Sequence, residues 1–139
     1  MSFLIDTNLL SELRRPGKAN PGALAWATST TEDQVFLSVF TLHELEKGIV
    51  KAERRRLPEA LLLRTWLDLE VRPGYTARTL PVTTEIALRA AAFFSSKTVE
   101  LADELIAATA LVHDLTVVTR NITHFEHTGV RLLDPFTPT

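Results

Sequence analysis

The chain has 139 residues, which fits one domain of ordinary size; 45% are hydrophobic and 23% charged, so a normal core can form, and the formal net charge is −2. The absence of cysteine excludes disulfides, thiolate zinc sites and cysteine nucleophiles, and it suits a reducing cytosol and a cytoplasmic protein. The charge excludes a polycation, so any nucleic-acid contact needs a local basic patch; no signal peptide is visible, and no run approaches the ~20 apolar residues of a membrane span, so no membrane association is expected.

FLI (3–5) predicts a strand that runs straight into Asp6, and an apolar helical pattern resumes at Asn8. NPGALAWATS (20–29) predicts a helix with Asn20 as N-cap and Pro21 at its first position. VFLSV (35–39) is continuously apolar enough for a strand covered on both faces. LPEALLLRTWLDLEV (57–71) predicts a helix with Pro58 at its first position, as Pro21 is, and TLPV (79–82) a weak strand in which Pro81 marks an edge or a strand end. TTEIALRAAAFF (83–94) predicts a helix with Ile86, Ala90, Phe93 and Phe94 on one face. LADELIAATALVH (101–113) is apolar on every side, as a buried helix is. LTVVT (115–119) and VRLL (130–133) complete the strands, and DPFTPT reads as a C-terminal tail. Strand–helix alternation of this kind predicts a three-layer α/β fold with a mostly parallel sheet of four to five strands.

In such folds ligands bind outside the carboxyl ends of the strands. Asp6 stands at that end of the first strand, either capping the next helix or facing a ligand. Glu44 follows VFLSV; Thr41-Leu42-His43-Glu44 spells a capping box, and Glu44 equally falls near Asp6, with Gly48 leaving space one turn on. Asp103 shares a face with Ile106, Ala107 and Ala110, where a carboxylate needs a cation or good donors; Glu104 beside it suits the helix dipole. Asn121, after LTVVT, is a turn residue or an oxygen ligand. Three carboxylates in one crevice repel by a few kcal/mol per pair at an effective dielectric near 20, an arrangement suited to a divalent cation. All-oxygen ligation selects magnesium or manganese. Asp6, Glu44 and Asp103 are therefore the expected metal ligands, with Asn121 nearby and Thr7, Asn8, Thr41 and Thr119 as donors that orient carboxylates or cap helices.

The ordered motifs DTN, xELxxG, ADxLIAATA and TRNxxHF, followed by GVRLLDP, resemble the PIN-domain ribonucleases over essentially the whole chain, and specifically the VapC-type toxins, including the FitB-like branch. The resemblance implies a single PIN-like nuclease domain over 1–139, with a tail from about 136, and an Mg²⁺- or Mn²⁺-dependent endoribonuclease. Its acidic triad matches Asp6, Glu44 and Asp103. Many members carry a fourth acid where this chain has Asn121, which leaves open whether one or two metals bind. It also implies a homodimer, a VapB-type antitoxin partner whose C-terminal segment wraps the toxin, and operator DNA reached only through that antitoxin. Expected RNA products are a 5′-phosphate and a 3′-hydroxyl. A rival is an interaction module with a weak site, acting through an antitoxin–DNA complex. A phosphatase using Asp6 as nucleophile would want an aspartate where Asn8 stands.

His124 and His127 in HFEH have no further zinc ligands near in sequence and read as surface or packing residues. Lys47, Lys51, Arg54, Arg55 and Arg56 read as a solvated helix face partly paired with Glu46 and Glu53, or as a track for RNA phosphates or an acidic partner. Trp26 and Trp66 read as core or interface.

Overall fold

The computed structural model describes residues 1–94 and 99–138. Its strands are β1 (Phe3–Ile5), β2 (Val35–Ser38), β3 (Thr79–Leu80), β4 (Thr116–Val118) and β5 (Leu132–Leu133). They form one sheet in the order β3-β2-β1-β4-β5, and every pairing is parallel. The helices are α1 (Thr7–Glu12), α2 (Pro21–Ser29), α3 (Val39–Arg54), α4 (Ala60–Trp66), α5 (Arg72–Gly74), α6 (Thr84–Ala91) and α7 (Leu101–His113). No helix among the described residues is long and apolar enough to cross a membrane.

Alternation along the strands sorts side chains into two cores. Phe3, Ile5, Val35, Leu37 and Val118 meet Leu9 and Leu10 of α1, Ala23 of α2 and Leu45 and Ile49 of α3. On the other face Leu4 and Val117 meet Ile106, Ala107 and Ala110 of α7. Ile86 and Ala90 of α6 pack on Leu105 and Ala108 of α7 as an adjoining cluster. The result is three layers, with α1 to α3 and the segment around α4 on one face and α6 and α7 on the other. The tryptophans lie half-buried against the first core, Trp26 edge-on to Phe3 with centroids 5.4 Å apart.

Asn20 caps α2 as expected, accepting from the N–H groups of Gly22 and Ala23. Pro58 does not open α4, which begins at Ala60. Arg56 turns left-handed at φ 53°, and the Leu57 N–H is still bonded to Ala52 of α3 at 3.0 Å, so the chain spends Leu57 to Glu59 in a turn. After α4 the chain widens into a π-turn over Leu67–Val71 before α5, burying Leu67 and Val71. Ile86, Ala90 and Phe93 pack inward, but Phe94 lies beyond α6 and is 86% exposed. The expected tail is partly fastened. The Asn20 side chain accepts from the Thr137 N–H and donates to its carbonyl, each at 2.8 Å, and the Phe136 ring lies 4.9 Å from the Arg120 guanidinium.

Chain order reverses at β1, with β2 and β3 to one side and β4 and β5 to the other. A crevice at such a switch point is where parallel sheets bind ligands, and residues just after β1 and β4 open onto it.

Candidate active site

Asp6 leaves β1 and caps α1: its Oδ1 accepts the Thr7 N–H at 2.8 Å. Its Oδ2 accepts from the Thr119 hydroxyl at 2.7 Å and the Asn8 amide at 3.1 Å. Capping and orientation are therefore done by one carboxylate at once. The side chain is buried, and burial raises its pKa above the ordinary value, with the Thr119 hydrogen bond as the largest opposing influence. Thr119, fully buried at the end of β4, also accepts from Asn8 Nδ2 and from the Asn121 N–H. It ties the ends of β1 and β4 together beneath Asp6.

Glu44 makes no capping box. α3 begins at Val39 directly after β2, and Ser38 caps it by accepting the Phe40 N–H at 3.0 Å. Thr41 thus lies inside the first turn, fully buried with its hydroxyl 3.4 Å from that of Thr7, and Glu44 is a full turn into the helix. Its Oε1 accepts from the Thr7 hydroxyl at 2.7 Å. Burial raises the Glu44 pKa, Thr7 opposes, and Asp6 raises it further. Gly48 has open space where a side chain would begin.

Asp103 sits in the first turn of α7 with 17% of its side chain exposed. Its pKa rises to about 6, first through burial and then through repulsion from Asp6, against the attraction of His124. His124 Nδ1 lies 3.4 Å from Asp103 Oδ2. The expectation of a surface or packing role fits His127, whose ring meets Phe93 edge-on at 6.2 Å, and His124 is likewise exposed, but it also lies on the wall of the site.

Asp6, Thr7, Asn8, Glu44, Asp103 and Asn121 line one cavity of about 400 Å³, together with Glu100, Ala102 and His124. Every residue expected at the site lies on this cavity or, for Thr41 and Thr119, directly behind it. Glu100 and His124 are additions: Glu100 stands one residue before LADELI, and its charge raises both Glu44 and Asp103. No lysine or arginine forms a salt bridge with Asp6, Glu44 or Asp103 among the described residues. No three Asp, Glu or His side chains there are drawn close enough to grip one ion as they stand. The donors nonetheless fit a hard cation: they are oxygens, they are partly desolvated, and the charges of neighbouring acids destabilise the ionised Glu44 and Asp103.

Fold and site together define an α/β domain with an acidic crevice at the switch point of a parallel sheet. The chain belongs to the PIN domain family, which its residues 3–130 match. It is 34% identical to the VapC ribonuclease Y4jK of Sinorhizobium fredii, covering 98% of this chain and 99% of that one. It is 33% identical to toxin FitB of Neisseria gonorrhoeae, covering 96% and 98%. The crystal structure of FitAcB from Neisseria gonorrhoeae superposes with a TM-score of 0.82 at 32% identity, over 96% of this chain and 97% of that one. FitAB bound to IR36 DNA superposes at 0.83 with 29% identity, over 99% and 97%.

Proposed function

We propose that this chain, as a single nuclease domain, is an Mg²⁺- or Mn²⁺-dependent endoribonuclease and the toxin of a type II toxin–antitoxin pair. The observation that carries this reading is the meeting of Asp6, Glu44 and Asp103 on one cavity without a lysine or arginine to neutralise them, among the described residues. Relatives named ribonuclease and toxin, at a third of residues identical along the full chain, supply the reaction class.

Asp6, Glu44 and Asp103 would hold the cation, which when bound supplies positive charge to a phosphodiester and makes water a better nucleophile. Thr119 and Asn8 hold the Asp6 carboxylate by its Oδ2, and Thr7 holds Glu44. These hydrogen bonds also stabilise the ionised forms, which a cation needs and burial opposes. Asn121 offers a neutral amide, so one tight metal is expected without RNA and a second only with the substrate's charge. His124, beside Asp103 on the wall of the cavity, would face a bound phosphate. The acidic cavity suits a basic side chain delivered by a VapB-type antitoxin, which would carry any operator-DNA contact. Exposed Leu88, Phe94 and Leu101 would supply apolar surface for a homodimer, and a chain without cysteine suits the reducing cytoplasm as its compartment.

The test is incubation of purified protein with RNA and Mn²⁺, followed by end-group analysis. Cleavage to 5′-phosphate and 3′-hydroxyl ends, abolished by EDTA and restored by Mn²⁺, is expected. Cleavage indifferent to EDTA would refute the metal-dependent reading. An inert protein that still binds an antitoxin would leave the interaction module.

A further inference from the structure

α3 carries a row that the acidic cavity does not absorb. His43, Lys47 and Lys51 fall at i, i+4 and i+8, all exposed on one face of the helix. They line a second cavity of about 330 Å³ with Phe40, Gly48 and Leu101, and that cavity shares Glu44, Glu100 and Ala102 with the acidic one. Two anionic walls thus pass directly into a cationic row.

The carboxylates nearest these lysines in sequence are engaged elsewhere. Arg64 of α4 takes Glu46 through both oxygens at 2.6 and 2.7 Å, and Glu53 at 2.9 Å. The expected pairing of the basic face with Glu46 and Glu53 does not occur, and neither Lys47 nor Lys51 has a salt bridge among the described residues. Gly48 between them presents bare backbone with nothing within 4 Å of where a Cβ would be. His43 lies against the Phe40 ring, centroids 5.1 Å apart and planes tilted by 36°, and leaves its outer face to solvent.

We infer that the α3 face of His43, Lys47, Gly48 and Lys51 is a substrate track. On it single-stranded RNA lays the phosphates flanking the cleaved bond on Lys47 and Lys51, with its backbone close over Gly48 and a base against His43. The inference rests on the ribonuclease reading and adds the direction in which RNA leaves the acidic cavity. Single-stranded RNA fits because it combines regularly spaced anions with stackable faces, the two things this row offers. An acidic protein segment would use the lysines but not the ring.

The test measures anisotropy of a short fluorescent single-stranded RNA with Glu44→Gln protein and Mn²⁺ across a salt series. KM is measured in parallel in the otherwise wild-type protein. Adding Lys47→Ala and Lys51→Ala together should reduce the slope of log K against log salt by about 1.4, two phosphate contacts at ~0.7 each, and raise KM several-fold. Lys18→Ala, in the turn before α2, should change neither. An unchanged slope and KM in a protein that binds and cleaves RNA would overturn the track and leave the ribonuclease reading standing. So would an equal loss at Lys18, or a loss seen only with an acidic protein partner. RNA held through these lysines but never cut would uphold the track and refute the catalytic reading. A wild-type protein that holds no RNA at low salt would refute both.

Discussion

The Thr7 hydroxyl fixes Glu44 through Oε1, and a glutamine offers the same acceptor in the same place. Glu44→Gln should therefore keep the fold, with a melting temperature no lower than wild type's, while abolishing metal-dependent cleavage; full activity in a folded Glu44→Gln protein would remove Glu44 from the chemistry. Asp103 supplies a second test through its proton. Its ordinary pKa of 3.8 rises to about 6 in the fold, so between those values the folded state holds more protons than the unfolded one. Stability of the metal-free protein should then fall as pH rises through that window, by on the order of 2 kcal/mol in all, and level off above it. Glu46 works the other way: Arg64 holds its pKa below the ordinary 4.5, a contribution lost only as pH falls beneath that value. Urea midpoints across pH 4.5 to 7.5 should decline in wild type and decline less in Asp103→Asn, where only the raised Asp6 and Glu44 remain. Gly48 separates stability from function. A methyl there meets nothing within 4 Å and suits the helix, so Gly48→Ala should raise stability by up to about 1 kcal/mol, read by thermal unfolding, while weakening RNA binding.

At the scale of elements, α2 depends on a close approach. A Cβ at Gly22 would run into the Pro135 carbonyl oxygen and the Thr137 hydroxyl, and stand 2.7 Å from the Thr137 N–H. Gly22→Ala should push the C-terminal segment off Asn20 and cost about 1–2 kcal/mol through two lost hydrogen bonds, seen as a lower denaturant midpoint and faster proteolysis near Phe136. This fastening was not legible in DPFTPT, because it is made by Asn20, a residue 117 positions away. Elements set by local pattern were legible. LADELIAATALVH is α7 to the residue, and FLI is β1. The start of α3 was not. Val39 continues the apolar run of β2, and Thr41 with Glu44 mimics a cap that Ser38 in fact supplies. The same limit applies to the site. Asp6, Glu44, Asp103 and Asn121 announce themselves as polar residues where strands end or where a buried helix begins. Glu100 and His124 join through tertiary placement, and so does Arg64, whose capture of Glu46 and Glu53 decides which charges of α3 stay free.

Across the whole molecule, the three carboxylates come from three different places: Asp6 from the central strand, Glu44 from the layer on one face of the sheet, Asp103 from the layer on the other. Without a cation the repulsion of Glu44 and Asp103 by their acidic neighbours acts between the layers; a cation held as proposed would tie β1, α3 and α7 together. Metal binding should therefore be a property of global stability, gaining RT ln(1 + [L]/Kd), or about 2.7 kcal/mol at a hundredfold excess over Kd. For a chain of this size that is an upward shift in Tm of about 8 °C. The most direct check is thermal unfolding of wild type and Asp103→Asn, each with EDTA and with saturating Mn²⁺. A shared site predicts a large rise in the wild type, a higher starting Tm in Asp103→Asn because the repulsion is relieved, and a much smaller rise in that variant. Equal responses to Mn²⁺ in both proteins, or none in either, would contradict it.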